Sequence, residues 1–322
     1  MTSFPDLLVQ AFHDCNRRGK TIGFAILVAG AVHLVLSGAL MASVISLGMD
    51  AVRDIAGPGT AQELQRGFTE MTTSMGFNPL AQQRFVSLIQ DVAETFEQLP
   101  PDRQRVVAAE IAGKVFMVIM PLGILFFLAF IAMSYWMTAV VILAANRNGT
   151  FSALAREAMR WILPLLGVSL LIMLIFVAWL AVCVLLSVII GGIVGGNGGL
   201  ILAFVSGILA FLIGWFFAMP YLALPTVILV QDRTGIMESI RRGIRLARGH
   251  WVKIAFNILG MGFIVGCVLY VIQLFFQFLI GIAVHFSPSA IFIGQLVIFV
   301  TFMGAAYQTM FLVRLKETVE ER

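Results

Sequence analysis

Six long apolar runs dominate the chain, and every Asp, Glu, Lys and Arg lies in the segments between them. Because a helix rises about 1.5 Å per residue, about 20 apolar residues cross a hydrocarbon core of about 30 Å. Each run is at least this long. The pattern therefore predicts an all-α polytopic membrane bundle with six transmembrane helices, at 21–49, 115–144, 161–193, 200–230, 254–285 and 291–313.

The segments between the runs are more polar or rich in glycine. The first run is too long for a secretory signal, so we expect it to remain as an anchor. A glycine-rich turn at 191–199 separates the third and fourth spans. The other segments are predicted to be an amphipathic helix at 1–20, an external helical insertion at 50–114, an amphipathic linker at 145–160, a basic amphipathic helix at 231–253 and a tail at 314–322.

The insertion carries the signals of a helical hairpin. Asn78 followed by Pro79 is typical of a helix start, and Pro100 with Pro101 ends a helix. From Asp102 onward we expect one helix that continues into the second span. Such a hairpin buries little apolar surface alone, so it should lie against the outer ends of the bundle or against a protein partner.

A short amphipathic segment precedes each odd-numbered span, and the three segments align without gaps over nine positions. Steps of three and four residues place the shared apolar positions on one helix face. These positions are Phe4/Phe151/Met237, Leu7/Leu154/Ile240 and Ala11/Ala158/Ile244. The pattern favours three parallel repeats, each an amphipathic helix followed by two spans, about an axis along the membrane normal. The alternative is a chance likeness among linkers at the membrane surface.

Composition and charge fix the class and the expected orientation. Apolar residues make up 60% of the chain and charged residues 12%, which excludes an ordinary soluble domain. Alternate segments hold 15 and 6 of the 21 Lys and Arg residues, so the positive-inside rule places both termini in the cytoplasm. The six on the outer side lie in the long insertion, where the rule has little weight.

The basic segment is the first candidate site. On a helix from Ile236 to Arg248, one side holds Arg241, Arg245 and Arg248. The other side holds Ile236, Ile240, Ile244, Ala247 and Trp251. Such a helix lies in the plane of the membrane surface and can hold phospholipid headgroups. The candidate headgroup-binding residues are Arg241, Arg242, Arg245, Arg248 and Trp251. The alternative role is to anchor and orient the fold.

Neutral polar residues within the spans form the second candidate site. They are His33, Asn257, Tyr270, Gln273, Gln277, Gln295 and Gln308. Tyr270, Gln273 and Gln277 share one helix face, which would suit a cavity for the headgroup of an amphiphile. Hydrogen bonds between helices are the alternative role for all seven.

The chain lacks the patterns of several active sites. No HExxH motif, nucleophile elbow or phosphate-binding glycine loop is present, and the spans hold no ionisable pair for coupled transport. The three cysteines lie outside the external insertion, which gives no support to a disulfide framework. We therefore expect no catalytic site, metal, cofactor or nucleic-acid partner.

The positions 224–230 and 238–251 resemble a pattern in six-span bacterial membrane proteins. The first is Leu-Pro-Thr-Val-Ile-Leu-Val, and the second runs from Glu238 to Trp251 through four arginines. This pattern is similar to that of the YciC-type inner-membrane family and of the membrane domain of some glycerophosphodiester phosphodiesterases. The resemblance implies a bacterial inner membrane and work related to lipids.

Three functions remain open from sequence. A protein that binds or handles lipids or other amphiphiles would use the basic helix for headgroups and the spans for tails. A scaffold subunit of a membrane complex would instead meet a partner through 50–114. A channel or carrier for small solutes is the third possibility and needs a continuous water-accessible path.

Overall fold

The computed structural model is an all-α bundle. It describes residues 3–73, 79–284 and 297–321, except for the side chains of 68–73, 79–85, 194, 197, 200, 215 and 280–284. Within these ranges there is no strand, and six helices are long and apolar enough to cross a membrane. The predicted fold class is confirmed.

Eleven helices are described over these ranges. They are α1 (Phe4–Arg17), α2 (Gly19–Thr73), α3 (Pro79–Gln98), α4 (Pro101–Lys114), α5 (Met120–Asn146), α6 (Phe151–Met159), α7 (Ile162–Val194), α8 (Gly196–Gln231), α9 (Ile236–Arg248), α10 (Trp251–Val284) and α11 (Val297–Glu320). A π-helical turn, Val115–Ile119, joins α4 to α5.

The helices form two compact units. The first comprises Met1–Ile26, Ala132–Cys267 and Met303–Arg322, and the second comprises Leu27–Ile131 and Val268–Phe302. The first unit contains α1, α6, α7, α8 and α9, and it is the unit in which the basic helix lies.

Several predicted boundaries agree with the structure. The basic helix covers the predicted residues, α3 begins at Pro79, and α4 begins at Pro101. Asn78 and the turn before the sixth span lie outside the described residues. Gly195 separates α7 from α8. Its φ is 67°, a backbone conformation that glycine adopts without steric penalty.

Two predicted boundaries differ from the structure. The helix of the first span does not end at Met49, since it continues to a break at Gly57, where φ is 86°, and a second helical segment runs on to Thr73. The expected tail at 314–322 is also wrong as a tail, because α11 continues to Glu320 with Leu315 and Val319 buried. Buried apolar side chains continue on one face of α11 beyond residue 313, where the predicted span ends, and they hold this part of the helix in the bundle.

The three amphipathic helices α1, α6 and α9 begin in the same way. Each starts with a large apolar residue, namely Phe4, Phe151 or Ile236, after a cap residue with extended backbone. In α1 the cap is Ser3, which forms a capping box with Asp6. Hydrogen bonds from Ser3 lower the pKa of the Asp6 carboxyl group.

The structure corrects the alignment of the third segment by one residue. Helices α1 and α6 bury the positions three and seven after their first residue, as predicted. In α9 the same positions are Ser239 and Gly243, not Ile240 and Ile244. A Cβ on Gly243 would lie 3.0 Å from Pro225 of α8, so only a small residue allows this close approach. With the corrected alignment, Arg156 and Arg160 of α6 match Arg241 and Arg245.

Helices α6 and α9 each pack on the two spans that precede them. Phe151 of α6 contacts Phe24 of α2, and the indole of Trp136 in α5 donates a 3.0 Å hydrogen bond to the α6 backbone. Ile236 of α9 similarly covers Gly167 of α7, while Gly243 lies against α8. In both cases the amphipathic helix covers a pair of spans.

Helix α1 packs in the same way on the last pair of spans, although it is farthest from them in sequence. Its first residue, Phe4, covers Gly260 of α10, where a Cβ would lie 3.0 Å from the ring. The Tyr307 hydroxyl of α11 donates a 2.9 Å hydrogen bond to the carbonyl of Leu8. The contacts of α1, α6 and α9 thus form a closed cycle of three, in which each amphipathic helix packs on a different pair of spans.

Loss of the apolar contact beneath α1 should destabilise the protein. Leu7 is fully buried, whereas Val9 on the same helix is exposed. We expect Leu7→Ala to cost about 2–5 kcal/mol and Val9→Ala less than about 0.5 kcal/mol. Thermal unfolding of the purified protein in mild detergent compares them. Equal melting temperatures for the two variants would contradict the docking of α1.

Candidate functional site

Four charged residues from three helices meet at the end of the spans on which α9 packs. The Lys316 Nζ atom lies 2.6 Å from Asp232 Oδ1 and 3.1 Å from Glu320 Oε2. The guanidinium of Arg242 lies 2.9 Å from Asp232 Oδ2 and 2.8 Å from Glu320 Oε1. Each cation contacts both anions, so this four-charge cluster is a closed ring with no net charge.

Burial makes the closure of this ring necessary. The side chain of Lys316 is 2% exposed and that of Asp232 is 18% exposed. A charge removed from water costs several kcal/mol unless partners of opposite charge and hydrogen bonds replace the water. Two cations and two anions balance each other's charge, and hydrogen bonds join Lys316 to Asp232 and Arg242 to Glu320. Removal of one member would leave the others without compensation.

A second polar contact joins the ends of the three even-numbered spans. The Gln231 side-chain nitrogen of α8 donates to Asn146 of α5 at 3.1 Å and to Glu317 of α11 at 3.3 Å. Arg314 pairs with Glu317 and also reaches Asp14 of α1. Polar side chains thus connect α1 to the same end of the first unit.

The four arginines of α9 lie in three different environments. Arg242 belongs to the four-charge cluster. Arg241 and Arg245 share one carboxylate, Glu238, at 3.7 Å and 3.1 Å, and their side chains are 72% and 65% exposed. Arg248 is exposed and forms no ion pair with the described residues. The outer side of α9 therefore holds three cations, Arg241, Arg245 and Arg248, and one carboxylate, Glu238. It carries excess positive charge.

Apolar side chains border this positive face. Met237 and Ile244 of α9 are exposed and lie beside the arginines. Trp251, a candidate headgroup-binding residue, packs against α8. Its ring centroid lies 4.9 Å from that of Phe217 and 6.0 Å from that of Phe216, both in α8. The tryptophan therefore anchors the start of α10 to α8.

A cavity lies beside the end of α9. Its volume is about 560 Å³, and Arg242, Arg245, His250 and Glu320 supply its polar lining. A larger and mainly apolar groove of about 1050 Å³ lies between α7 and α8, near the glycine-rich turn. Of these two cavities, only the smaller is bordered by arginines of α9, namely Arg242 and Arg245.

The candidate polar residues within the spans are divided between the two units. In the second unit, His33 packs between Phe126 and Phe130, with ring centroids 5.1 Å and 5.6 Å away. Asn257, in the first unit, is buried and donates a 2.7 Å hydrogen bond to the Lys253 carbonyl. Such packing and local bonding fit a structural role for both residues.

The remaining residues of this set have different surroundings. Tyr270, Gln273 and Gln277 share one face of α10 and are all exposed. Gln308 of α11 is half-buried, and Gln295 lies outside the described residues. Neither of the two cavities described above has these three exposed side chains in its lining.

The described residues contain no group of three or more His, Cys, Asp or Glu that could hold a metal ion. The three cysteines are free thiols. Burial and the neighbouring Asp14 carboxylate raise the pKa of Cys15 to about 11, so this thiol is protonated at neutral pH.

Sequence reasoning missed the four-charge cluster. The sequence pattern places Lys316 and Glu320 in a tail, and it does not single out Asp232. A signal was present, since Leu315 and Val319 continue the apolar period of the last span. The ion pairs themselves depend on contacts between residues far apart in sequence.

Comparison with known proteins gives no relative. No protein-family model, curated protein or solved structure matches the chain.

Replacement of Lys316 should test the four-charge cluster. We expect Lys316→Met to destabilise the protein by about 3 kcal/mol, because it leaves buried carboxylates with one cation fewer. Asp232→Asn in the same chain should recover part of this loss, which thermal unfolding of both single variants and the double variant would measure. Additive effects of the two substitutions would contradict direct coupling.

Proposed function

We propose that this integral membrane protein is a non-enzymatic binder of anionic lipids, and that α9 holds their headgroups. The observation that carries the proposal is the excess positive charge on the outer side of α9. Arg241, Arg245 and Arg248 face outward with only Glu238 to balance them. Each arginine near an anionic membrane surface contributes about 1 kcal/mol of attraction.

The placement of apolar side chains supports a position at the membrane surface. Met237 and Ile244 are exposed on the flank of α9, and Val9 and Phe12 are exposed on α1. Apolar residues beside basic ones are typical of helices that lie at the boundary between headgroups and acyl chains. On this basis α9 contacts lipid on one side and α8 on the other.

The proposal includes an orientation. The end of the spans that bears α1, α6 and α9 would face the cytoplasm of a bacterial cell, in its inner membrane. The Lys and Arg bias supports this orientation, because such residues concentrate in cytoplasmic segments. The arginines of α9 would then meet the anionic cytoplasmic leaflet.

Loss of two arginines should reduce the lipid that the protein retains. We expect Arg241→Gln combined with Arg245→Gln to lower the affinity for anionic lipid about 30-fold, from about 1 kcal/mol for each charge. Native mass spectrometry of protein purified in mild detergent would count the bound phospholipids. The matched control is Arg103→Gln with Arg105→Gln, two exposed arginines of α4.

Unchanged lipid retention in the α9 variant would contradict the proposal. An equal loss in the α4 control would also contradict it, because the effect would then follow total charge rather than position. The double substitution should leave the melting temperature nearly unchanged, since both side chains are largely exposed.

A scaffold function is the second candidate, and a separate observation favours it. Val86 and Ile89 of α3 and Val106 of α4 are exposed in the polar segment between the first two spans. A protein partner that binds 50–114 would cover such side chains. This candidate predicts that lipid retention does not depend on α9.

A further inference from the structure

The cavity beside α9 has the composition of an anion site. Arg245 borders it from α9, and His250 borders it from the junction with α10. Leu246 and Val319 form its apolar wall. The volume of about 560 Å³ falls within the range of small-molecule sites. It therefore has room for a phosphate group together with part of the molecule that bears it.

The basic groups of this cavity retain hydrogen-bonding capacity. A guanidinium has five N–H donors in a planar fork. Arg245 makes one hydrogen bond, at 3.1 Å, to Glu238. Arg242 contacts Asp232 and Glu320 through its two terminal nitrogens. Both residues therefore keep donors that can bind a tetrahedral oxyanion.

The acidic residue in the lining does not cancel this attraction. Glu320 is paired with Arg242 and with Lys316 inside the four-charge cluster, whose net charge is zero. Arg245 and the His250 imidazole lie outside that cluster. Arg245 shares the single Glu238 carboxylate with Arg241, so positive charge remains in excess beside the cavity although Glu320 borders it.

The backbone beside the cavity leaves room for an approaching group. The cavity is lined by Gly249 and His250, which directly precede α10. Their N–H groups both donate to the carbonyl of Ala247 in α9, so the hydrogen bonds to a bound anion must come from the side chains. A Cβ on Gly249 would meet nothing within 4 Å, so its backbone does not obstruct that group.

We propose that this cavity is a discrete binding site for a phosphate group, held by Arg245 and His250 with support from Arg242. The site rests on the proposed function, because it assigns one defined pocket within the basic end of α9. It goes further, since a general positive face binds any anionic surface, whereas a pocket binds one group in a saturable way.

Phosphate in this site could come from a lipid headgroup or from the free ion. The test uses the full chain in non-ionic detergent, titrated with inorganic phosphate in one arm and with short-chain phosphatidylglycerol in the other. Binding is measured by the shift in melting temperature and by equilibrium titration. Short-chain phosphatidylcholine, whose headgroup has no net charge, is the reference lipid.

We expect saturable binding in at least one arm, and a loss of affinity of about tenfold or more in Arg245→Gln, because the residue binds an anion through charged hydrogen bonds. His250→Ala should weaken binding less, and Arg245→Lys should restore part of it. The matched control is Arg160→Gln, the aligned and exposed position of α6, which should keep the native affinity.

Saturation in the phosphate arm would assign the free ion, and saturation in the lipid arm alone would assign a headgroup. No saturable binding in either arm, or an equal loss in Arg160→Gln, would overturn the site. Phospholipid retained through Arg241 and Arg245 without saturable binding would refute the pocket and leave the proposed function intact. Saturable phosphate binding without retained lipid would support the pocket and refute the proposed function.

Discussion

The docking of α1 on the last two spans is the constraint on which the first unit depends. The buried apolar side of each of the three amphipathic helices packs on two spans. For α6 and α9 these spans come immediately before in sequence. For α1 they come from the far end of the chain, so the contacts of Phe4 and Leu8 close the cycle.

The charges at this end of the unit follow from the same closure. Once α11 is drawn beneath α1 and beside α9, its last turns lie in protein rather than in water. There Lys316 is paired with Asp232 and Glu320, and Arg242 completes the ring. The cluster thereby pairs Arg242, and the other arginines of α9 supply the excess positive charge on its outer side.

Much of the fold follows from the sequence, whereas the candidate site follows only in part. Span length and charge patterning predict the six long helices, and periodicity predicts α9 to the residue. The alignment of α9 needs the structure, because the close approach at Pro225 favours the small residues Ser239 and Gly243 over larger neighbours. The role of Lys316 and the cavity at Arg245 also need it, since both depend on contacts between distant segments.

The cycle of amphipathic helices can be tested by cross-linking α1 to α10. In a chain without its three native cysteines, Phe4→Cys with Gly260→Cys should react efficiently with a short bifunctional maleimide in membranes. Val9→Cys with Gly260→Cys should react poorly, because Val9 lies on the exposed side of α1. Efficient cross-linking of the first pair alone is the predicted result. Equal or absent cross-linking of both pairs would contradict the closed cycle.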